Sequence, residues 1–223
     1  GLPSDLADFQ CTSGVYTCKA GYGNGIQSID YFNCEACKMG YSNEPPSQES
    51  CKKCPIGKYA TGVASPQCTP CPAGRSGKSF DGATSEDTAC SKCAEGTYGP
   101  SVGATSCQPC PPGNICPDKE MKSYKKCSVG TFTDTYQATS CTKCATGRYQ
   151  NEEGKPKCID CGLGKYNAEE GLSSQEACND CIAGKYANQN GASSCQRCGK
   201  DTYTNMNASS SCLSCPEGES TKE

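Results

Sequence analysis

Ten Cys-x-x-Cys pairs run through the chain, with first cysteines at Cys34, Cys51, Cys68, Cys90, Cys107, Cys141, Cys158, Cys178, Cys195 and Cys212. The steps between them are 17, 17, 22, 17, 34, 17, 20, 17 and 17 residues. A fixed beat of this kind is the signature of a tandem array of small supersecondary units, and it constrains the fold before anything else does. The 34-residue step is two beats, and counting 17 from Cys107 lands on Tyr124, with Cys127 three residues on. The stretch Tyr124-Lys125-Lys126-Cys127 therefore reads as a pair whose first cysteine has become tyrosine.

Each beat carries the same phrase. Three residues after the second cysteine stands a glycine (Gly57, Gly74, Gly96, Gly113, Gly130, Gly147, Gly164, Gly184), with Asp201 as the exception. Two residues further an aromatic is usual: Tyr59, Tyr98, Phe132, Tyr149, Tyr166, Tyr186 and Tyr203. A small turn-rich phrase such as Gly103-Ala104-Thr105-Ser106 precedes the next pair. Glycine supplies the backbone angles of a tight turn and the aromatic opens a short strand. The expectation is an irregular two-strand hairpin of about 17 residues per unit, with its tyrosine laid over the neighbouring disulfide and each unit touching mainly its neighbours. The longer steps place five extra residues between Cys71 and Cys90 and three between Cys161 and Cys178, as surface turns. Helix signals are sparse, Ser4 being the one candidate cap, for a turn through Leu6 and Phe9.

Composition says what must hold such a chain together. Leu, Ile, Val and Phe total nineteen of 223 residues, and Trp is absent. That supply cannot bury enough apolar area to offset the entropy of ordering the backbone. Twenty-four cysteines take its place, which in a chain of this kind reads as a secreted disulfide framework. Histidine is also absent, removing the commonest general base and metal ligand. A net charge of −3 shows no footprint for nucleic acid, and no apolar run approaches the ~20 residues of a membrane span. The chain is expected to be no enzyme and to hold no cofactor or metal.

The preferred pairing joins the second cysteine of one pair to the first of the next. It gives Cys18–Cys34, Cys37–Cys51, Cys54–Cys68, Cys71–Cys90, Cys93–Cys107, Cys127–Cys141, Cys144–Cys158, Cys161–Cys178, Cys181–Cys195 and Cys198–Cys212. Tyr124 orphans Cys110, and the extra Cys116 offers it a Cys110–Cys116 bond. A crossed rule, Cys34–Cys51 with Cys37–Cys54 and onward, also absorbs Cys116, and both stay open at this point. Each loop of this size contributes roughly 3 kcal/mol in the chain-entropy model. Cys11 and Cys215 are left unpaired or intermolecular. They are expected to bond to flanking sequence in a longer chain, or head to tail between copies as a filament.

Phrases such as Cys54-Pro55-Ile56-Gly57-Lys58-Tyr59 and Gly103-Ala104-Thr105-Ser106-Cys107-Gln108-Pro109-Cys110-Pro111-Pro112-Gly113 resemble the ephrin-receptor-like cysteine-rich repeat. That family is related to the cysteine-rich modules of tumour necrosis factor receptors and growth-factor receptors, and the resemblance covers roughly Cys34 to Gly218. It implies an extracellular, elongated, disulfide-stapled array like those in surface proteins of single-celled eukaryotes. The expected role is a structural or interaction protein: a spacer, coat, adhesin or filament subunit at the cell surface. Its partners would be proteins or glycans, or further copies of itself. The alternative is the ligand-binding ectodomain of a receptor, which an exposed apolar patch breaking the repeat grammar would favour; Ile115–Tyr124 is the candidate.

The expected organisation is an atypical unit over 1–33, repeats over 34–106, an interrupted repeat pair over 107–140 and repeats over 141–223. Zinc is the chemical rival, since paired Cys-x-x-Cys knuckles also build zinc ribbons. One even spacing, proline after many second cysteines and the lack of histidine argue against it. Lys58, Arg75, Arg148, Lys165 and Lys185 recur between glycine and aromatic. They form either a basic stripe for acidic glycans or charges that merely keep strand edges soluble, and the second reading is preferred. Asn207-Ala208-Ser209 is the single Asn-x-Ser/Thr glycosylation sequence, with Asn207 as acceptor.

Overall fold

The structure is a computed structural model that describes residues 9–12, 15–24, 34–44 and 49–217, with side chains described from Cys18 onward. Among these residues the chain forms twelve two-stranded sheets, each made of consecutive strands. Regular helix is limited to Glu86–Ala89 and a 3-10 turn at Gln175–Ala177. Ser4 and Leu6 lie outside the described residues, and Phe9 opens a strand, Phe9–Thr12, rather than ending a helical turn.

One hairpin serves for the rest. Strand Arg148–Tyr149 pairs antiparallel with Ile159–Asp160, so the two residues inside the Cys158/Cys161 pair are themselves the second strand. The approach is a four-residue turn in which the Arg148 N–H donates to the Ala145 carbonyl at 3.1 Å. Gly147 is its third residue at φ +78°, the left-handed angle that a type II turn requires there. A disulfide, Cys144–Cys158, closes the base of the hairpin.

Successive hairpins are sewn together by main-chain bonds. The Gly147 N–H donates to the Asn167 carbonyl of the next hairpin (2.8 Å), while the Cys161 N–H extends its own hairpin's ladder by donating to the Gly147 carbonyl (2.8 Å). From the Lys58–Pro70 hairpin onward the turn residue reaches back as well: the Gly191 N–H donates to the Cys161 carbonyl at 2.8 Å. The same bond recurs from Ala64 to Cys37, Gly82 to Cys54, Glu120 to Cys93 and Ala208 to Cys181. These contacts are wider than nearest-neighbour packing. Gly147 lies against the carbonyl of Gly191, two hairpins on, so closely that a Cβ would stand 2.0 Å from that oxygen. Gly21 meets Ala64, Gly113 meets Gly154 and Gly164 meets Ala208 in the same way, at 1.9, 2.0 and 1.9 Å. The repeated glycine is thus required twice over, for its φ and for the backbone that presses on it. Each unit therefore touches its neighbours and, through its turn, the hairpin beyond them.

Sulfur and small side chains make the core. The largest side chains buried almost completely are all cysteines, among them Cys54, Cys71, Cys144, Cys161 and Cys181. Tyrosines lie over the next disulfide: Tyr149 packs with Cys161 and Cys178, and Tyr59 with Cys71 and Cys90. The residue after the aromatic position is buried and small or polar, as in Ala60, Asn43 (after Ser42), Thr133, Gln150, Asn167 and Thr204. The polar ones tie down the following turn. Asn167 donates to the Glu169 carbonyl (2.6 Å) and accepts from the Glu169 N–H (2.8 Å). No buried side-chain polar atom among the described residues lacks a partner.

The chain divides into two compact bodies, residues 1–108 with 118–123 and residues 109–117 with 124–223. The division falls within the interrupted hairpin around Tyr124.

Candidate interaction surface

Among the described residues there are eleven disulfides: ten run from the second cysteine of one pair to the first of the next, from Cys18–Cys34 to Cys198–Cys212, and Cys110 is bonded to Cys116. Their Cα separations, 5.5–6.1 Å, lie in the span a disulfide bridges without moving the backbone. The two sulfurs of a Cys-x-x-Cys therefore face opposite ways along the array and belong to different bonds, an arrangement unlike a zinc knuckle. Cys116 is the residue after the aromatic position of its own hairpin, where its neighbours carry a small or polar side chain. Its sulfur fills that buried place, and both Cys110 and Cys116 are fully buried. Cys215 carries no disulfide among the described residues; the side chain of Cys11 lies outside them.

Of the five recurrent basic residues, three face acids. Arg148 Nε lies 2.7 Å from Asp160 and Lys165 Nζ 2.5 Å from Asp180, each across its own hairpin. Arg75 is largely covered and bridges two carboxylates, Glu86 at 3.0 Å and Glu120 at 2.5 Å. Lys58 stands opposite Pro70 and Lys185 opposite Arg197. Three of the five charges are thus answered by acids, two of them directly across the strands at Asp160 and Asp180 and the third by Glu86 and Glu120.

The long hairpin Cys71–Cys90 differs from its neighbours. Its strands, Arg75–Gly77 and Cys90–Lys92, are a residue longer than the usual pair, and its extra residues form the helical turn Glu86–Ala89. Ser85 caps that turn in a capping box with Thr88, a Ser-x-x-Thr signal present in the sequence and overlooked there. Hydrogen bonds from Lys92 and Arg75 hold the Glu120 carboxyl below its usual range. Burial, and after it the Glu86 carboxylate, raise the Tyr59 phenol. A cavity of about 570 Å³ opens beside this hairpin, with Ile56 and Phe80 on its wall. Phe80 is 50% exposed. The sequence pointed instead to Ile115–Tyr124 for exposed apolar surface. There Tyr124 is 40% exposed, but the cavity lies at the hairpin with the five-residue insertion, where Phe80 is left half exposed. Asn207 is exposed on a turn; its Oδ1 accepts from the Ala183 N–H at 3.1 Å.

Three overlapping stretches, 130–178, 171–211 and 184–223, match the family model described as tyrosine-protein kinase ephrin type A/B receptor-like. Residues 130–223 are thus similar to ephrin-receptor-like repeats. Comparison with curated proteins gives no match. Ahead of residue 130 the two-stranded hairpins and the disulfide ladder continue back to Cys18 among the described residues. None of the described helices is long and apolar enough to cross a membrane.

Proposed function

We propose that this chain acts outside the cell as a non-enzymatic interaction scaffold, a surface spacer, coat or adhesin built from ephrin-receptor-like repeats. The supporting observation is the substitution of sulfur for an apolar core: eleven disulfides carry the fold, and such bonds persist in oxidising compartments. The second strand of most hairpins is exposed, as at Lys52–Lys53, Gln108–Pro109, Thr142–Lys143 and Gln196–Arg197, which leaves those positions free to vary without loss of fold. Protein partners fit this reading, and Asn207 is the expected glycan acceptor. Head-to-tail linkage through Cys215 and Cys11 is its filament-forming version. Labelling intact cells with an antibody to the chain, alongside thiol counting before and after reduction, tests the proposal. Surface signal, with the cysteines from Cys18 to Cys212 alkylated only after reduction, supports it; an intracellular pool with those thiols free rejects it.

A receptor ectodomain is the second reading, and the exposed Phe80 beside a cavity is what favours it.

A further inference from the structure

We infer that the cavity at the Cys71–Cys90 hairpin binds a short anionic saccharide, a carboxylated or sulfated sugar unit. The inference rests on the extracellular scaffold reading and names a ligand for one place on it.

The cavity is a built feature. Its volume of about 570 Å³ lies within the usual range of ligand sites. Its floor is rigid, because Gly77 runs so close to the preceding hairpin that a Cβ would meet the Gly57 nitrogen at 2.4 Å and Ile56 Cγ2 at 2.6 Å. The rim is pinned by the capped turn Glu86–Ala89, by Arg75 on Glu86, and by the Lys78 N–H donating to the Ala89 carbonyl at 2.7 Å. Ala83, Ala89 and the disulfide pack beneath it with Tyr59. On this fixed frame Phe80 stays half exposed, although Ala83 a few residues on is buried.

The chemistry of the wall selects the ligand. Ser76 and Ser91 are cross-strand partners, and with Thr105 they present hydroxyls to the cavity. These three hydroxyls make no hydrogen bond among the described residues. Threonines elsewhere on the array close onto their own turns, as Thr97 does on Ala94 and Thr131 on Ser128. Hydroxyls both donate and accept, so an open row of them suits a ligand that is itself rich in hydroxyls. The ring of Phe80 supplies an apolar face for a pyranose. Lys78 is the one charged residue on the wall, and no carboxylate lines it, so the charge preference is for an anion.

An extended peptide fits less well. Strand addition needs free main-chain donors, and here they are used: the Gly77 N–H donates to Ala104 (2.8 Å), Lys78 to Ala89, and Phe80 back to Lys78 (2.9 Å). Recognition is left to side chains.

The test is nuclear magnetic resonance titration of the full oxidised chain with a sulfated uronate disaccharide, its unsulfated form and neutral lactose. Binding should shift the amides of 76–80, 91 and 105, with the charged sugars preferred over lactose. Phe80→Ala should weaken binding about tenfold, the scale of an aromatic contact plus its buried area. Lys78→Gln keeps a donor for the Asp87 carbonyl and should erase the preference for charge. Tyr136→Ala, an exposed aromatic on the other body, should change nothing. Absence of shifts with all three sugars, shifts confined to other hairpins, or unaltered binding in Phe80→Ala with its disulfides intact would each overturn the assignment. Those failures leave surface exposure and thiol counts untouched, so they are distinguishable from failure of the scaffold reading.

Discussion

The two long hairpins, Cys71–Cys90 and Cys161–Cys178, lengthen the same segment of the repeat and use it oppositely. In the second, the three extra residues end in the 3-10 turn Gln175–Ala177, and Leu172 folds inward against Tyr149, Cys161 and Cys178. In the first, five extra residues make a capped helical turn; Ala83 takes the inward place, and Phe80 is left outside. Both keep a parallel bridge to the tyrosine of the preceding hairpin, Tyr59 to Ala83 and Tyr149 to Leu172. The repeat therefore has one inward slot beside its turn. A large residue in that slot closes the insertion, and a small one there leaves the larger side chain to solvent.

The contact both hairpins share should show the largest effect. Gly74 and Gly164 each lie under a turn carbonyl two hairpins on, 2.4 and 1.9 Å from an added Cβ, whereas Gly184 meets nothing within 4 Å. All three have positive φ, so an alanine at any of them carries the roughly 1–2 kcal/mol left-handed penalty. Gly164→Ala and Gly74→Ala add a backbone collision and should lower the melting temperature clearly more than Gly184→Ala. Equal melting shifts at the three positions would mean that the two-hairpin contact carries no energy.

Next comes the inward slot itself. Leu172→Ala should cost about 1–2 kcal/mol, less than a fully buried leucine because its side chain is only partly covered. Phe80→Ala should stay within about 0.5 kcal/mol, as surface changes do. Denaturant melts with disulfides intact measure both, and a larger loss at Phe80 would show that its ring is part of the core. A smaller difference is expected at the caps. Ser85→Ala removes a hydrogen-bonded cap worth about 1 kcal/mol, while Ser174 makes no such bond and Ser174→Ala should be near neutral. Amide exchange over 86–90 and 175–178 reads this locally.

How much of this was legible in the sequence follows from what cysteine spacing encodes. The beat marks where hairpins begin, and the Cys-Pro-x-Gly-x-Tyr phrase marks the turn and first strand, so the small disulfide-rich class could be read without coordinates. The two-hairpin contact could not. It needs a left-handed turn residue in every hairpin, and at Ala64, Glu120, Gln137 and Ala208 that residue is not glycine, so no local signal announces it. The buried residue after the aromatic was equally silent. Asn43, Thr133, Gln150 and Asn167 read as surface residues by type, and only the turns they hold explain their burial. The five basic residues were visible, but whether an acid faced each one depended on register.

That register supplies the smallest expected difference. The base at the first-strand position is Lys165 in one long hairpin and pairs with Asp180 across its own strands. In the other it is Arg75, which holds the Glu86 helix of its own hairpin and also reaches the turn at Glu120, with Lys92 on the far carboxylate oxygen at 2.7 Å. Glu120 has positive φ, so this turn is strained for an ordinary side chain, and the charge cluster helps to hold it. Because Lys92 and then Arg75 lower the carboxyl's pKa in the folded state, the stabilisation is complete above the ordinary carboxylate value of about 4.3. It fades as the pH falls through the lowered value. Amide exchange over 118–123 should therefore quicken on acidification only below that ordinary range. Arg75→Gln with Lys92→Gln should return the Glu120 titration to the ordinary value and make the same turn exchange faster already at neutral pH. A Glu120 carboxyl that titrates normally in the unaltered protein would break this half of the contrast, leaving Arg75 to act on the Glu86 helix alone.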